Sequence, residues 1–191
     1  MTSLLLGPQE MISRSSTRAS EIAQAAGHLD RVTETIEMDS SQLLAIAGEL
    51  VHRAQQWPGM REPTRRVWEL ITACQAFEAW IIGWPPGGAI ELHDHGGSSG
   101  AVIVAAGELV EMAVTEDRRG ALSTTSTVLP ASASVTFGTD HVHEIVNLGP
   151  GPAISVHVYA PRLTAMTYYN FSNGLLEARA TVRYQLGTAI P

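Results

Sequence analysis

Two hydrophobic periods divide the chain near residue 77. Ahead of that point, Leu43, Leu44, Ile46, Leu50 and Val51 recur at helical spacing behind the N-cap candidates Asp39 and Ser40. Pro58-Gly59 ends that run. A looser helical pattern lies over residues 17–26, and Pro63-Thr64 opens a further short segment through Trp68 and Leu70. Beyond Phe77 the apolar residues fall in short runs or alternate, over 79–84, 89–95, 101–106, 109–115, 124–129, 134–137, 143–147 and 153–159. Gly, Pro, Asp and Asn separate them, beginning with the turn Pro85-Pro86-Gly87-Gly88. Many short strands with turn residues between them predict a sandwich or a barrel. The expected fold class is therefore all-β, with residues 1–70 a helical N-terminal extension packed on a barrel of residues 71–191, a single domain overall.

Composition narrows the class. The 191 residues are 45% hydrophobic and 16% charged, as in a chain that buries a core. A formal net charge of -7 gives no electrostatic reason to bind nucleic acid or an anionic membrane surface. No apolar run approaches the roughly 20 residues that span a bilayer, and the opening MTSLLLGPQEM lacks the basic and long apolar regions of a signal peptide. The one cysteine, Cys74, cannot form an internal disulfide and reads as a buried small apolar side chain. These features together predict a cytoplasmic protein.

The candidate chemistry lies in the histidines. Of seven, four stand in two His-x-His pairs, His93/His95 and His141/His143. Residues two apart on a strand share a face, so His93 and His95 would present two imidazoles to one point while Asp94 points away. One member of the second pair would add a third ligand from a neighbouring strand. Imidazole suits Fe, Zn, Cu and Ni. Farther on, Ser155, His157 and Tyr159 stand at i, i+2 and i+4 and would form a hydrogen-bonded row on one face, with Val156 and Val158 on the other.

Gly87-x5-His93-x-His95 followed by Gly107 resembles the first cupin motif, and His143-x3-Asn147 resembles the second. The Glu that usually follows the first His pair is replaced by Ser99 or Gly100, which leaves three neutral His in place of two His and a carboxylate. That departure is the mark of the thiol dioxygenases, the cysteine dioxygenase family. The resemblance extends through WPPGGAIELHDH, GGSSGAVIVAAGELVE and Ser155-x-His157-x-Tyr159-x-Pro161, over roughly residues 62–185, and is nearest the bacterial branch. Mammalian members carry a Cys that cross-links to the active-site Tyr; Gly100 stands at that position here, so Tyr159 is expected to stay uncross-linked.

The resemblance implies a cupin, jelly-roll-like barrel in which Fe(2+) is held by His93, His95 and His143. It implies a Tyr159 hydroxyl near the iron, oriented by His157 with Ser155 behind. The substrates implied are O2 and a small carboxylate-bearing thiol, cysteine or 3-mercaptopropionate, oxidised to the sulfinic acid. A guanidinium is the natural partner of that carboxylate: Arg66 is the first candidate, Arg65 its neighbouring rival, and Arg179 and Arg183 the alternatives. Gly107 is expected to close a tight turn, Asn147 to bond backbone near the third ligand, Trp80 and Trp84 to be core residues, and His141 to be exposed. Other classes compatible with the pattern are a cupin enzyme acting on another substrate and a non-enzymatic cupin sensor module.

Overall fold

The computed structural model describes residues 37–52 and 57–184. The helix expected over residues 17–26 lies outside them.

Helix α1 (Ser40–Val51) is set by its first turn. Asp39 Oδ1 accepts hydrogen bonds from the backbone N–H groups of Ser41 at 2.8 Å and Gln42 at 2.9 Å, and Gln42 Oε1 accepts from the Asp39 N–H at 2.9 Å. This reciprocal capping box satisfies donors the helix cannot pair internally. Leu43, Ala47 and Leu50 form the buried stripe. They pack on Ala79, Ala101, Val156 and Val158, the outward face of the sheet beneath. Each buried Leu contributes about 1.5–3 kcal/mol relative to exposure.

Eleven strands follow among the described residues: β1 (Val67–Ala73), β2 (Glu78–Trp84), β3 (Ala89–His93), β4 (Ser99–Ala106), β5 (Glu108–Glu116), β6 (Leu122–Pro130), β7 (Ser134–Phe137), β8 (His143–Val146), β9 (Ala153–Ala160), β10 (Ala165–Ser172) and β11 (Leu175–Arg183). They form two antiparallel sheets, ordered β1-β2-β9-β4-β7 and β11-β10-β3-β8-β5-β6. One core joins both sheets: Trp80, Trp84, Val102, Phe137 and Tyr159 from the first meet Ile90, Leu109, Leu129, Ile145 and Met166 from the second. This is an all-β cupin barrel of jelly-roll type. The central strands β2 and β9 are buried along their whole length because the barrel core covers one face and α1 with its neighbours covers the other.

Two connections bring the site together. Gly107, between β4 and β5, adopts φ +73°, and a Cβ there would lie 2.6 Å from the Pro152 carbonyl oxygen. Only glycine fits this close turn. Asn147 is fully buried; its Nδ2 donates to the carbonyls of Trp84 at 3.0 Å and Gly151 at 2.9 Å, and its Oδ1 accepts from the Gly149 N–H at 2.9 Å. It is a bridge between the β8–β9 turn and the end of β2, more than a turn residue.

The segment over Trp68 and Leu70 is strand β1, so the first sheet begins at Val67, four residues before the expected boundary at 71. Trp68 and Leu70 alternate with exposed Glu69, a period-two pattern too short to separate from the helical run before it. Cys74 is exposed, contrary to the expectation of burial. It stands in the β1–β2 turn, where its N–H bonds the Phe77 carbonyl at 2.9 Å, and the turn points its side chain outward despite apolar neighbours in sequence.

Gly100 is the point of closest packing over the site. A Cβ there would lie 2.3 Å from Cζ of Phe137. Gly100→Ala is expected to lower stability by about 1–3 kcal/mol, seen as a drop of several degrees in the thermal midpoint. Phe137→Leu in the same chain should recover most of it; an undiminished loss would show that the ring is not the obstacle.

Candidate metal centre

His93 is the last residue of β3 and pairs directly with His143, the first of β8. Directly paired residues on adjacent strands point to the same face, so the register alone sets two imidazoles side by side. His95 lies beyond the strand end, where the sequence pattern had placed it on the same strand. Its position comes from Asp94. That carboxylate accepts from the Thr167 N–H at 2.9 Å, the Gly96 N–H at 3.0 Å and the Tyr169 hydroxyl at 2.7 Å. Asp94 thus ties the turn to β10 and swings His95 back over the other two.

The three rings enclose one point. Their centroids are 5.0 Å apart for His93–His95 and 4.9 Å for each of the other pairs, and one nitrogen from each lies within 4.8 Å of the others. All three are buried. Burial, then the neighbouring His143, holds His93 and His95 well below the ordinary histidine pKa; burial also lowers His143, partly offset by Glu111. The rings are therefore neutral at pH 7, the form that ligates metal.

Their tautomers are set from outside. His93 Nδ1 lies 2.8 Å from the Glu91 carbonyl oxygen, which can only accept, so Nδ1 carries the proton and Nε2 offers its lone pair. His143 Nδ1 lies 2.7 Å from Glu111 Oε1, with the same result. Neither nitrogen of His95 has a hydrogen-bond partner although both are buried. A buried imidazole without partners is costly, and a metal ion at the shared point would satisfy one of the two nitrogens. The donor set fits a divalent first-row metal.

Glu111 was not singled out in the sequence, and it organises the outer side of this group. It is 6% exposed on β5 and receives His143 Nδ1–H at 2.7 Å and His141 Nε2–H at 3.0 Å on one oxygen. Burial alone would raise its pKa, but the hydrogen bonds from His141 and His143 bring it down to about 2. The signal was present: Glu111 shares the strand face of Leu109, a carboxylate in the apolar phase of its strand. His141 is half-buried, not exposed as expected, because Glu111 and the ring of Phe137 at 4.9 Å draw it inward. Glu111, His141 and His143 also form a group within metal-ligand distance, but the hydrogen bonds already satisfy their facing atoms.

The β9 residues form a continuous chain. Trp84 Nε1–H donates to Ser155 Oγ at 2.8 Å; Ser155 Oγ lies 2.8 Å from His157 Nε2; His157 Nδ1 lies 3.1 Å from the Tyr159 hydroxyl. Indole can only donate, and His157 Nε2 is the one acceptor within reach of the buried Ser155 hydroxyl among the described residues, so the Ser155 proton passes to it, the ring's proton sits on Nδ1, and that N–H donates to Tyr159 Oη. The Tyr159 proton is left for another acceptor. Burial holds His157 neutral, its pKa down to about 3, and pushes Tyr159 upward, so the row carries no charge. Tyr159 stands 5.3 Å from His95, ring to ring.

Arg66 reaches into the same end of the barrel. Its guanidinium lies 5.4 Å from the Trp68 ring and 5.6 Å from the Trp84 ring and donates to the Ala89 carbonyl at 3.3 Å. Burial lowers its pKa, yet its charge reaches His93, His157 and Tyr159. Arg65 is exposed. Arg179 pairs with Glu91 on the exposed surface, and Arg183 is exposed on β11. Of the four arginines, the structure brings only Arg66 to the histidines.

The family described as cysteine dioxygenase type I matches residues 11–172. The chain belongs to that family. No curated protein matches it. Among solved structures it is similar to TT1209 from Thermus thermophilus, with 22% identity over 53% of this chain and 89% of that one at a TM-score of 0.44. A protein with a double-stranded beta-helix domain from Klebsiella pneumoniae shares 19% identity over 66% and 94% of the two chains at 0.44. An oxalate oxidase in complex with glycolate shares 18% over 52% and 53%, also at 0.44.

Glu111→Ala should weaken metal binding about 10- to 100-fold, as loss of the group that orients a ligating His does. Competition with a chelator measures this, and unchanged affinity would refute the role. The metal-free protein should lose stability as pH falls. The four buried histidines, His93, His95, His143 and His157, all have folded pKa values below 6.5, so the unfolded chain takes up protons that the folded one refuses. Stability is full above that value and declines below it, by about 1.4 kcal/mol per pH unit for each such His; His157 contributes down to about pH 3 and Glu111 adds a loss below 4.5. Urea unfolding at pH 7.5, 6 and 5 reads the slope directly.

Proposed function

We propose that this member of the cysteine dioxygenase type I family is a thiol dioxygenase that adds both atoms of O2 to the sulfur of a small carboxylate-bearing thiol, cysteine or 3-mercaptopropionate. The product is the sulfinic acid. Sulfur supplies all four electrons that O2 takes up, so no external reductant is needed. The observation that carries the reading is the group of three buried, neutral histidines with no carboxylate among them, beside an arginine and a tyrosine whose hydroxyl proton is free.

His93, His95 and His143 are the residues that would hold the metal, and Fe(2+) is the ion proposed. Iron would supply acidification of the thiol and activation of O2. The chain's residues do the rest. The three imidazoles bring no negative charge, so the positive charge they hold is available to an anionic sulfur. Arg66 faces the substrate carboxylate, with its cationic head placed against Trp68 and Trp84. Tyr159 directs its O–H toward the reacting atoms, because the row from Trp84 through Ser155 and His157 occupies its oxygen from behind. Its raised pKa keeps it a donor throughout. The buried aliphatic and aromatic walls of Val102, Phe137 and Met166 limit water near the sulfur. No helix among the described residues is long and apolar enough to cross a membrane; action in the cytoplasm is part of the proposal.

Oxygen uptake by iron-loaded protein against cysteine, 3-mercaptopropionate and cysteamine tests the reading. Uptake with one of the two carboxylate thiols, abolished in His143→Ala, is the expected result. Arg66→Ala should raise KM for that thiol about 10- to 100-fold, the worth of a charge-assisted pair, with little change for cysteamine. Full iron loading without uptake on any thiol would overturn the assignment.

A further inference from the structure

The substrate end of the barrel holds two tyrosines that neither the family motifs nor the row on β9 accounts for. Tyr168 on β10 pairs in register with His93, so its side chain stands on the metal-facing side of the sheet, its ring 6.0 Å from that of His93. Tyr184 follows β11, and its N–H bonds the Thr164 carbonyl at 2.9 Å. This extends the β10–β11 register by one pair, and counting back through Met166–Val182 to Tyr168–Ala180 puts Tyr184 on the same face as Tyr168. Both rings pack against the barrel core with Trp68. The Tyr184 hydroxyl is buried and, although near Tyr168, has no partner at hydrogen-bond geometry. Apart from the neighbouring Tyr168, this buried phenolic O–H is a donor open to a ligand. The charge of Arg66 reaches both tyrosines as it reaches Tyr159.

Resting on the thiol dioxygenase reading, we propose that Tyr168 and Tyr184 complete the carboxylate site with Arg66, their hydroxyls donating to the substrate's carboxylate oxygens. The chemistry favours an anion. Burial raises the pKa of both phenols, so they remain neutral donors, and the full charge that acts on both is the Arg66 guanidinium. Arg66 alone leaves the second lone pairs of a bound carboxylate unmet among these half-buried residues; two phenols supply the missing donors. Arranged this way, the site distinguishes thiols by their anionic end, independently of the metal that holds the sulfur. It takes a carboxylate separated from sulfur by a short carbon chain and gives no advantage to a thiol that ends in an amine.

Tyr184→Phe and Tyr168→Phe keep the aromatic bodies and remove one hydroxyl each. Binding of cysteine, 3-mercaptopropionate and cysteamine to the metal-loaded protein is measured by anaerobic calorimetry, with KM and kcat from oxygen uptake alongside. Each variant should weaken the preferred carboxylate thiol about tenfold or more in both Kd and KM. Affinity for cysteamine and metal content should be unchanged. Equal losses for all three thiols, or no loss for the carboxylate thiols, would overturn the cradle while leaving the dioxygenase reading in place. If the unaltered protein takes up metal but binds none of the three thiols, both readings fall together.

Discussion

The site depends on holding ionisable side chains neutral in a place where charge cannot be solvated. Four histidines are buried at one end of the barrel, and their neutrality is a consequence of that burial. Neutrality alone does not make a ligand, since each ring must also give its lone pair to the right side. The Glu91 carbonyl and the Glu111 carboxylate settle this for His93 and His143 by taking the proton on the far nitrogen. The same logic runs along β9, where one indole N–H fixes every proton in the row as far as Tyr159. Geometry and protonation are two results of the same hydrogen bonds.

The fold supplies those partners by strand pairing. Register places His93 opposite His143, Tyr168 opposite His93, and Glu78 opposite Tyr159. A shift of one residue in any pair would turn the functional side chains outward. Burial on both faces of β9 makes such a shift costly, because Val156 and Val158 would lose α1 while Ser155 and His157 lost the core. The helix therefore acts on the site at a distance, by holding the strand that carries the row.

Much of this was legible in the sequence where chemistry and period coincide. The Ser-x-His-x-Tyr strand carries its geometry in its spacing, the two His-x-His pairs named residues the fold brings together although His95 and His141 lie outside the strands, and β2 to β9 follow from alternation and turn residues. What could not be read depends on tertiary partners. β11 is exposed at nearly every position and its Leu, Glu, Ala and Arg residues favour a helix, so only pairing with β10 makes it a strand. Asp94 looked like the idle residue between two ligands, and its importance lies in Thr167 and Tyr169 more than 70 positions away. Arg66 could not be separated from Arg65 by sequence, because the difference is which side of the chain faces Trp68 and Trp84 just before β1 begins.

Charge balance connects the metal group to the substrate end. The space among the histidines and Arg66 has a guanidinium on one side and a metal-binding set without a carboxylate on the other. The acidic groups around it are already engaged: Glu111 behind His143, Asp94 by β10, Glu78 with Arg162 and the Leu163 N–H, and Glu91 with Arg179. Each of these carboxylates acts on the framework from outside. A ligand that brings two negative ends, a thiolate and a carboxylate, meets a positive site at each end, whereas an aminothiol places its ammonium against Arg66. Like charges brought together beside a half-buried guanidinium cost several times what they would in water. The proposed selection of anionic thiols therefore rests on where the fold has put its own carboxylates.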